Sequence, residues 1–187
     1  MEKIINIGNM VCNRCIKVIQ DELDTAGIEV VTIEMGKVKV RIQEQEQLKT
    51  IENLLVKNDF LLLLSEEEKV VENVKLELIK LLKKLPLSVE ILSSYLSNQL
   101  GADYSKISRM FSYNQGITIE KYFIKLKIEK VKELIQHPEK NFTEISQLLD
   151  YSHSNHLSRQ FKAETGMSLS KYKAQQEKFR LSLDKIV

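Results

Sequence analysis

Two stretches of this chain repeat one another: SRMFSYNQGITIEKY at residues 108–122 and SRQFKAETGMSLSKY at residues 158–172. Serine, arginine, phenylalanine, glycine, lysine and tyrosine occupy matching positions in the two copies. Each copy follows a short helical stretch and a break, which is the pattern of a helix-turn-helix unit that ends at a glycine. The repeat therefore predicts two helix-turn-helix units in the C-terminal half.

A long helix is predicted between the two copies, over the stretch TIEKYFIKLKIEKVKELIQ at residues 118–136. Thr118 is the candidate N-cap, since a threonine hydroxyl can accept a hydrogen bond from a free N–H group of the first turn. Apolar residues then recur at helical spacing. The predicted buried face comprises Ile119, Tyr122, Phe123, Leu126, Val131, Leu134 and Ile135.

Two such units joined by one long helix closely resemble the AraC-type DNA-binding domain, over residues 87–173. The stretch at residues 142–173, FTEISQLLDYSHSNHLSRQFKAETGMSLSKYK, follows the family pattern nearly throughout. Asp150 replaces the usual glycine of the second turn, and Leu169 replaces the usual proline after the Gly-x-Ser motif. The resemblance implies a transcription regulator that binds double-stranded DNA, with RNA polymerase as a candidate partner and a homodimer as a candidate assembly.

The second helix of each unit is the one expected in the major groove. Ile107 and Phe111 should point inward in the first copy, as Leu157 and Phe161 should in the second. Arginine can bind guanine through two hydrogen bonds and asparagine can bind adenine, whereas serine and lysine more often contact phosphates. The predicted DNA-binding residues are Ser105, Lys106, Ser108, Arg109, Ser154, Asn155, His156, Ser158 and Arg159.

These assignments have open alternatives. A single serine is explained equally well as an exposed helix residue without a DNA contact. An internal salt bridge is the alternative role for one of the arginines. Charge agrees with a nucleic-acid partner, since residues 86–187 hold 15 Lys and Arg against 11 Asp and Glu, while residues 1–64 hold 8 against 10.

The first 64 residues show a different periodicity, in the order β-α-β-β-α-β. This order predicts a split βαβ, or ferredoxin-like, domain over residues 1–64. The chain as a whole is therefore expected to be α+β, with a βαββαβ domain, a linker helix at 65–85 and an all-α domain at 86–187. The predicted elements are a strand at 3–7, a helix at 14–24, two strands within 29–42, a helix at 45–57 and a buried strand, FLLLL, at 60–64.

The chain has two cysteines, Cys12 and Cys15, at the junction of the first strand and the first helix. Free N–H groups and the positive end of the helix dipole favour thiolates at such a position. With Met10, Gly27 and a hairpin at Gly36, the stretch resembles a heavy-metal-associated domain. That resemblance implies a soft metal such as Cu(I) on the two thiolates, with Met10 packed beneath the loop. Asn9 stands where the family usually has glycine.

Three interpretations of the thiol pair remain open: a soft-metal site, a former metal module kept for packing or pairing, and a redox dithiol. A zinc site would need about four ligands, and so a second chain or borrowed histidines. The linker helix also has two interpretations, because its stripe of Val70, Val74, Leu78, Leu81 and Leu82 suits either packing on one domain or a dimer seam.

Other classes of protein are disfavoured. The longest apolar block is only FLLLL, too short for a membrane span. The N-terminus has no signal-peptide pattern, and two close cysteines suit a reducing compartment, so we expect a cytoplasmic protein. The three histidines lie in no nucleophile motif and the chain has no glycine-rich phosphate loop, so no enzyme is predicted. The alternative function is a metal-handling, chaperone-like protein whose helical half docks a protein partner.

Overall fold

The computed structural model describes residues 1–88, 91–175, 180–181, 183 and 186. The chain divides into two compact units, Met1–Leu76 and Glu77–Val187. The architecture is α+β, as predicted, with an antiparallel sheet in the first unit and helices in the second. The elements are β1 (Glu2–Gly8), α1 (Asn13–Thr25), β2 (Glu29–Glu34), β3 (Lys37–Arg41), α2 (Glu46–Lys57), β4 (Leu61–Leu62), α3 (Glu66–Lys83), α4 (Leu92–Leu100), α5 (Tyr104–Gln115), α6 (Ile119–Leu134), α7 (Phe142–Leu148), α8 (Ser154–Thr165) and α9 (Leu169–Ala174).

The sheet of the first unit has the strand order β2-β3-β1-β4, and all of its pairings are antiparallel. A tight turn at Gly36, whose φ is +86°, joins β2 to β3, and glycine adopts this conformation without steric cost. Alternate residues of β1 and β3 are buried, as expected for strands with one face on a core. The core comprises Ile5, Ile7, Met10, Ile19, Leu23, Ile28, Val38, Val40, Ile42, Ile51, Leu55 and Phe60.

The predicted buried strand at residues 60–64 is wrong in length and in burial. Only Leu61 and Leu62 pair with β1, and Leu61 and Leu64 are 52% and 77% exposed. The strand ends early because the next helix begins at once. Glu68 accepts hydrogen bonds from the N–H groups of Leu64 and Ser65, and the Ser65 hydroxyl accepts one from the Glu68 N–H. This capping box fixes the backbone in a helix start.

The helix predicted as a linker is α3, and the boundary between the two units falls inside it. Its N-terminal part contributes buried side chains such as Val71 and Val74 to the first unit. Its C-terminal part contributes Leu78 and Ile79, among others, to the second. Val70, predicted on the apolar stripe, is only half-buried.

In the second unit α4 and α5 precede the long helix α6, and α7 and α8 follow it. The two repeat copies pack alike. Phe111 contacts Tyr122 with ring centroids 5.4 Å apart, and Phe161 contacts Tyr172 at 5.5 Å. The phenylalanine and the tyrosine of each repeat copy therefore pack against each other.

Helix α6 agrees with its prediction at the N-cap and along most of its buried face. The Thr118 hydroxyl accepts a hydrogen bond from the Lys121 N–H at 3.2 Å. Phe123 is a correction, because it is half-buried where full burial was expected. Glu129 is buried instead, and it is stabilised by hydrogen bonds from Lys132 Nζ at 2.6 Å and from the Leu181 N–H at 2.9 Å.

Candidate functional site

The thiol pair lies where α1 begins. Cys12 is the N-cap residue of α1, the Cys15 N–H donates to the Cys12 carbonyl, and the two Sγ atoms are 3.6 Å apart. Both cysteines are half-buried and no disulfide joins them. Met10 is fully buried in the core, as the resemblance implied.

The loop before the cysteines is held at two points. The Asn9 N–H donates to Glu72 Oε1 of α3 at 2.8 Å, and Asn9 Nδ2 donates to the Asp59 carbonyl at 3.1 Å. Asn9 has a φ of +66°, the left-handed conformation that glycine adopts freely and that asparagine tolerates better than most residues. The asparagine thus keeps the backbone conformation that glycine permits, and its side chain adds a second tether.

The electrostatics of the pair differ from the sequence expectation. Burial raises the pKa of the Cys15 thiol and outweighs the backbone hydrogen bonds from Val11 and Cys12, which act to lower it. The start of a helix therefore does not make Cys15 a ready thiolate. Among the residues that the structure describes, no group of three or more His, Cys, Asp or Glu side chains is placed to hold a metal ion.

In the first helix-turn-helix unit the candidate recognition helix is α5. Asp103 caps it by accepting a hydrogen bond from the Lys106 N–H at 3.2 Å, and this bond lowers the pKa of the Asp103 carboxyl. Ile107 and Phe111 are fully buried, as predicted. Of the four predicted contact residues, Ser105, Lys106 and Arg109 are exposed and Ser108 is half-buried.

The second unit places α8 in the same way. Leu157 and Phe161 are fully buried. Of the predicted contact residues, Asn155, His156 and Arg159 are exposed, whereas Ser154 and Ser158 are half-buried. Ser108 and Ser158, which match in the repeat, are thus less accessible to DNA than fully exposed residues of the same helices.

The two matched arginines occupy equivalent positions on their helices. Each follows the first buried residue of its helix by two positions and precedes the second by two. Over the described residues, neither Arg109 nor Arg159 makes a salt bridge. The internal salt bridge left open by the sequence is therefore not present there.

The turn between α7 and α8 accommodates Asp150 in the conformation that a glycine would adopt. Asp150 has a φ of +56°, and Asp is one of the non-glycine residues that populate this region. Helix α7 before it is fixed by a capping box between Asn141 and Glu144, which the sequence reasoning did not use. At the other departure from the family, Leu169 begins α9 and is buried.

Lys127 on α6 belongs to this region and was not predicted. Its Nζ lies 4.0 Å from the centroid of the Tyr151 ring, a cation–π contact, and the Tyr151 ring meets His156 edge-on at 5.3 Å. The chain of contacts links α6 to the candidate recognition helix α8. Helical spacing could have revealed the position, since Lys127 lies four residues after Phe123 and four before Val131.

Burial lowers the pKa of Lys127 to about 8, against the opposing charge of Asp150. An unfolded lysine keeps its proton until about pH 10.4, so between these values the unfolded chain binds more protons than the folded one. We therefore expect Lys127 to make the free energy of unfolding rise as the pH increases from about 8 to about 10.5. Lys127→Met should lose this rise.

Chemical denaturation of both chains at several pH values between about 7.5 and 10.5 measures this difference. Lys162→Met is the control, because Lys162 is exposed and makes no salt bridge with any described residue. Equal pH dependence in wild type and Lys127→Met would contradict the burial argument.

Comparison with known proteins bears on the C-terminal half. Residues 96–175 match the family model described as a helix-turn-helix domain. The solved C-terminal domain of AraT, a response regulator from Geobacillus stearothermophilus, is similar with 21% identity and a TM-score of 0.51, over 62% of this chain and 91% of that chain. No curated protein matches the chain.

At that identity, the likeness to the solved domain concerns the fold alone. No helix within the described residues is long and apolar enough to cross a membrane. The family match and the fold agree with the two units seen around α6. Over residues 96–175 this chain is thus similar to proteins with a helix-turn-helix domain.

Proposed function

We propose that this protein is a sequence-specific DNA-binding transcription regulator of the AraC type. The observation that carries the proposal is the repeated placement of Arg109 and Arg159. Each is exposed on the second helix of its unit, between two buried residues that fix the orientation of that helix. An arginine held in this way can donate two hydrogen bonds to a guanine in the major groove.

The other exposed residues have complementary roles in the proposal. Asn155 can bind an adenine edge, and His156, next to it, is held beside Tyr151. Lys106 and Ser105, at the start of α5, suit phosphate contacts that set the register of the helix on the duplex. The half-buried Ser108, Ser154 and Ser158 lie at the margin of the contact surface.

Selection from random duplexes with the full-length chain tests this function. The selected duplex should bind more tightly than an unrelated duplex of equal length, and log affinity should fall linearly with log salt concentration as counterions are released. Equal affinity for selected and unrelated duplexes would contradict sequence-specific binding. Absence of binding to any duplex at low salt would leave the alternative, in which the helical half docks a protein partner.

We further propose that the first unit is a ferredoxin-like, metal-binding module. Its antiparallel order β2-β3-β1-β4 supports the split βαβ arrangement. Two Sγ atoms 3.6 Å apart lie within reach of one ion, since metal–sulfur bonds are about 2.3 Å long. Cys12 and Cys15 would hold a soft ion such as Cu(I), which two thiolates suffice to bind.

Cu(I) uptake is expected to reach about one ion per chain in the reduced protein, and Cys12→Ser or Cys15→Ser alone should abolish it, because one thiolate leaves the ion without its second ligand. Anaerobic titration against a competing Cu(I) chelator measures the uptake. Asn9→Gly is the control, since it restores the usual family residue and leaves both thiols in place.

Uptake that persists in Cys15→Ser, or no uptake by wild type, would contradict the metal-binding proposal. A regulatory role needs a further result, because a ligand shifts an equilibrium only if it binds the two states unequally. DNA affinity measured with and without Cu(I) gives that result. Unchanged affinity would indicate a metal-binding module that is not a sensor.

A further inference from the structure

One edge of β1 is uncovered at its N-terminal end. β4 pairs with β1 only at Ile7 and Gly8, and one more hydrogen bond joins the Leu63 N–H to the Asn6 carbonyl at 2.9 Å. The chain then turns away into α3. The edge of β1 from Glu2 to Ile4 therefore has no neighbouring strand on this side within the described residues.

The hydrogen bonds between β1 and β3 show which backbone groups of β1 point toward the uncovered edge. The Met1 and Ile42 backbones exchange two hydrogen bonds, and the Ile7 N–H donates to the carbonyl of Gly36, just before β3 begins. In an antiparallel ladder, hydrogen-bonded pairs alternate with pairs whose N–H and C=O groups point outward. Hence the N–H and C=O groups of Glu2, Ile4 and Asn6 point toward the β4 side. Of these three residues, Asn6 accepts the hydrogen bond from Leu63.

A groove runs along this edge. Its cavity volume is about 500 Å³, and it is bounded by β1, by α2 and by Leu62–Leu64 and Lys69. Leu48 supplies apolar surface from α2, and Leu62 and Leu64 supply it from β4 and the segment after it. An open backbone edge beside apolar surface on two flanking elements is the geometry that accepts an added strand.

The charge at the groove is mainly positive. Lys3, Lys49 and Lys69 line it against the single carboxylate of Glu52. Lys69 is paired with Glu66 at 2.6 Å, whereas Lys3 and Lys49 make no salt bridge within the part of the chain that the structure describes. An acidic side chain on the occupant would find these two lysines unpaired.

We propose that this groove binds an extended peptide segment of a partner protein, with acidic and apolar residues at every second position, as an added strand beside β1. Successive side chains of such a peptide point to opposite faces of the sheet, so every second one faces α2. Lys3 lies on the face of β1 that also carries the core residues Ile5 and Ile7, so it faces the same side as α2. On that face an apolar side chain would meet Leu48, and an acidic one would meet Lys3 or Lys49. A small organic anion fits the charge as well, but it would leave the N–H and C=O groups of Ile4 without partners.

Panning of displayed random heptapeptides on the full-length protein tests the proposal. Enriched peptides should carry an apolar residue and an Asp or Glu two positions apart, and the best one is then synthesised with an acetylated N-terminus as the probe. Binding of the probe should fall at least about tenfold with Ile4→Pro, which removes an outward N–H without breaking a hydrogen bond to β3, and with Lys49→Glu. Ile4→Val, which keeps the N–H and a β-branched side chain, is the matched control.

A change in the probe gives a readout that does not depend on the folding of a variant. N-methylation of alternate amides should abolish binding in one of the two registers and leave the other nearly unaffected, because only one set faces β1. Equal effects of the two registers would overturn the proposal, as would panning that enriches no peptide. The groove would instead bind a small anion if decanoate displaced the probe from wild type and bound equally well to Ile4→Pro. It would bind a second copy of this chain if wild type formed a dimer and Ile4→Pro did not.

Discussion

The double variant Arg109→Ala/Arg159→Ala is expected to bind the selected duplex with about 2–6 kcal/mol less free energy than wild type, because each lost pair of hydrogen bonds to guanine costs about 1–3 kcal/mol. The two residues lie on separate helices, α5 and α8, so the losses should be roughly additive. Mobility-shift titration of selected and unrelated duplexes measures the effect. Affinity for the unrelated duplex should change much less.

The control for this prediction is Arg41→Ala, which removes an exposed arginine from β3, outside the proposed interface. It should leave DNA affinity unchanged. A loss of equal size on selected and unrelated duplexes would make Arg109 and Arg159 phosphate contacts, and base recognition by these two side chains would then be wrong.

Phe161→Ala is expected to lower the free energy of unfolding of the second unit by about 3–5 kcal/mol, the usual cost of truncating a buried phenylalanine. Phe161 is fully buried and packs edge-on against Tyr172, so the substitution removes the contact that joins α8 to α9. Denaturation followed by circular dichroism measures the loss. Tyr113→Ala is the control, because Tyr113 is 93% exposed and its removal should change stability by no more than about 0.5 kcal/mol.

A stability loss below about 1 kcal/mol for Phe161→Ala would contradict the packing described for the second unit. The same substitution should also reduce DNA binding at temperatures where the wild type is folded, since Arg159 depends on the orientation of α8. Recovery of binding on cooling would separate this stability effect from a direct role of the ring in recognition.

The helical half could be predicted from the sequence because its signals are local or repeated. The spacing of Phe111 and Phe161 from their following glycines predicted the helix ends, and Thr118 predicted the start of α6. The helical periodicity also separated buried Ile107 and Leu157 from exposed Arg109 and Arg159. These features need only the geometry of one helix at a time.

The features that were missed depend on contacts distant in sequence or on competing local signals. The FLLLL stretch has the composition of a buried strand, but the capping box of Ser65 and Glu68 ends it after Leu62. That capping box is itself a local sequence pattern, Ser-x-x-Glu, and could have limited the strand prediction. The contact of Glu72 with Asn9 joins residues 63 apart and has no local signal.

Burial also sets the direction of two pKa shifts that the sequence did not predict. Glu72 is only 5% exposed, and desolvation raises the pKa of its carboxyl. Desolvation likewise raises the pKa of Cys15 against the expected effect of the helix start. In both cases the sequence predicted the helix correctly. The burial of the side chain depends on contacts outside that helix, which helical periodicity does not reveal.

If the protein binds DNA as proposed, α5 and α8 read two successive major grooves of one duplex, each through its arginine. Methylation interference at guanine N7 on the selected duplex tests it most directly, because N7 is the acceptor that a recognition arginine uses. Two clusters of interfering guanines about 10 base pairs apart are expected, one lost in Arg109→Ala and the other in Arg159→Ala. A single cluster, or two clusters that both persist in the two variants, would contradict it.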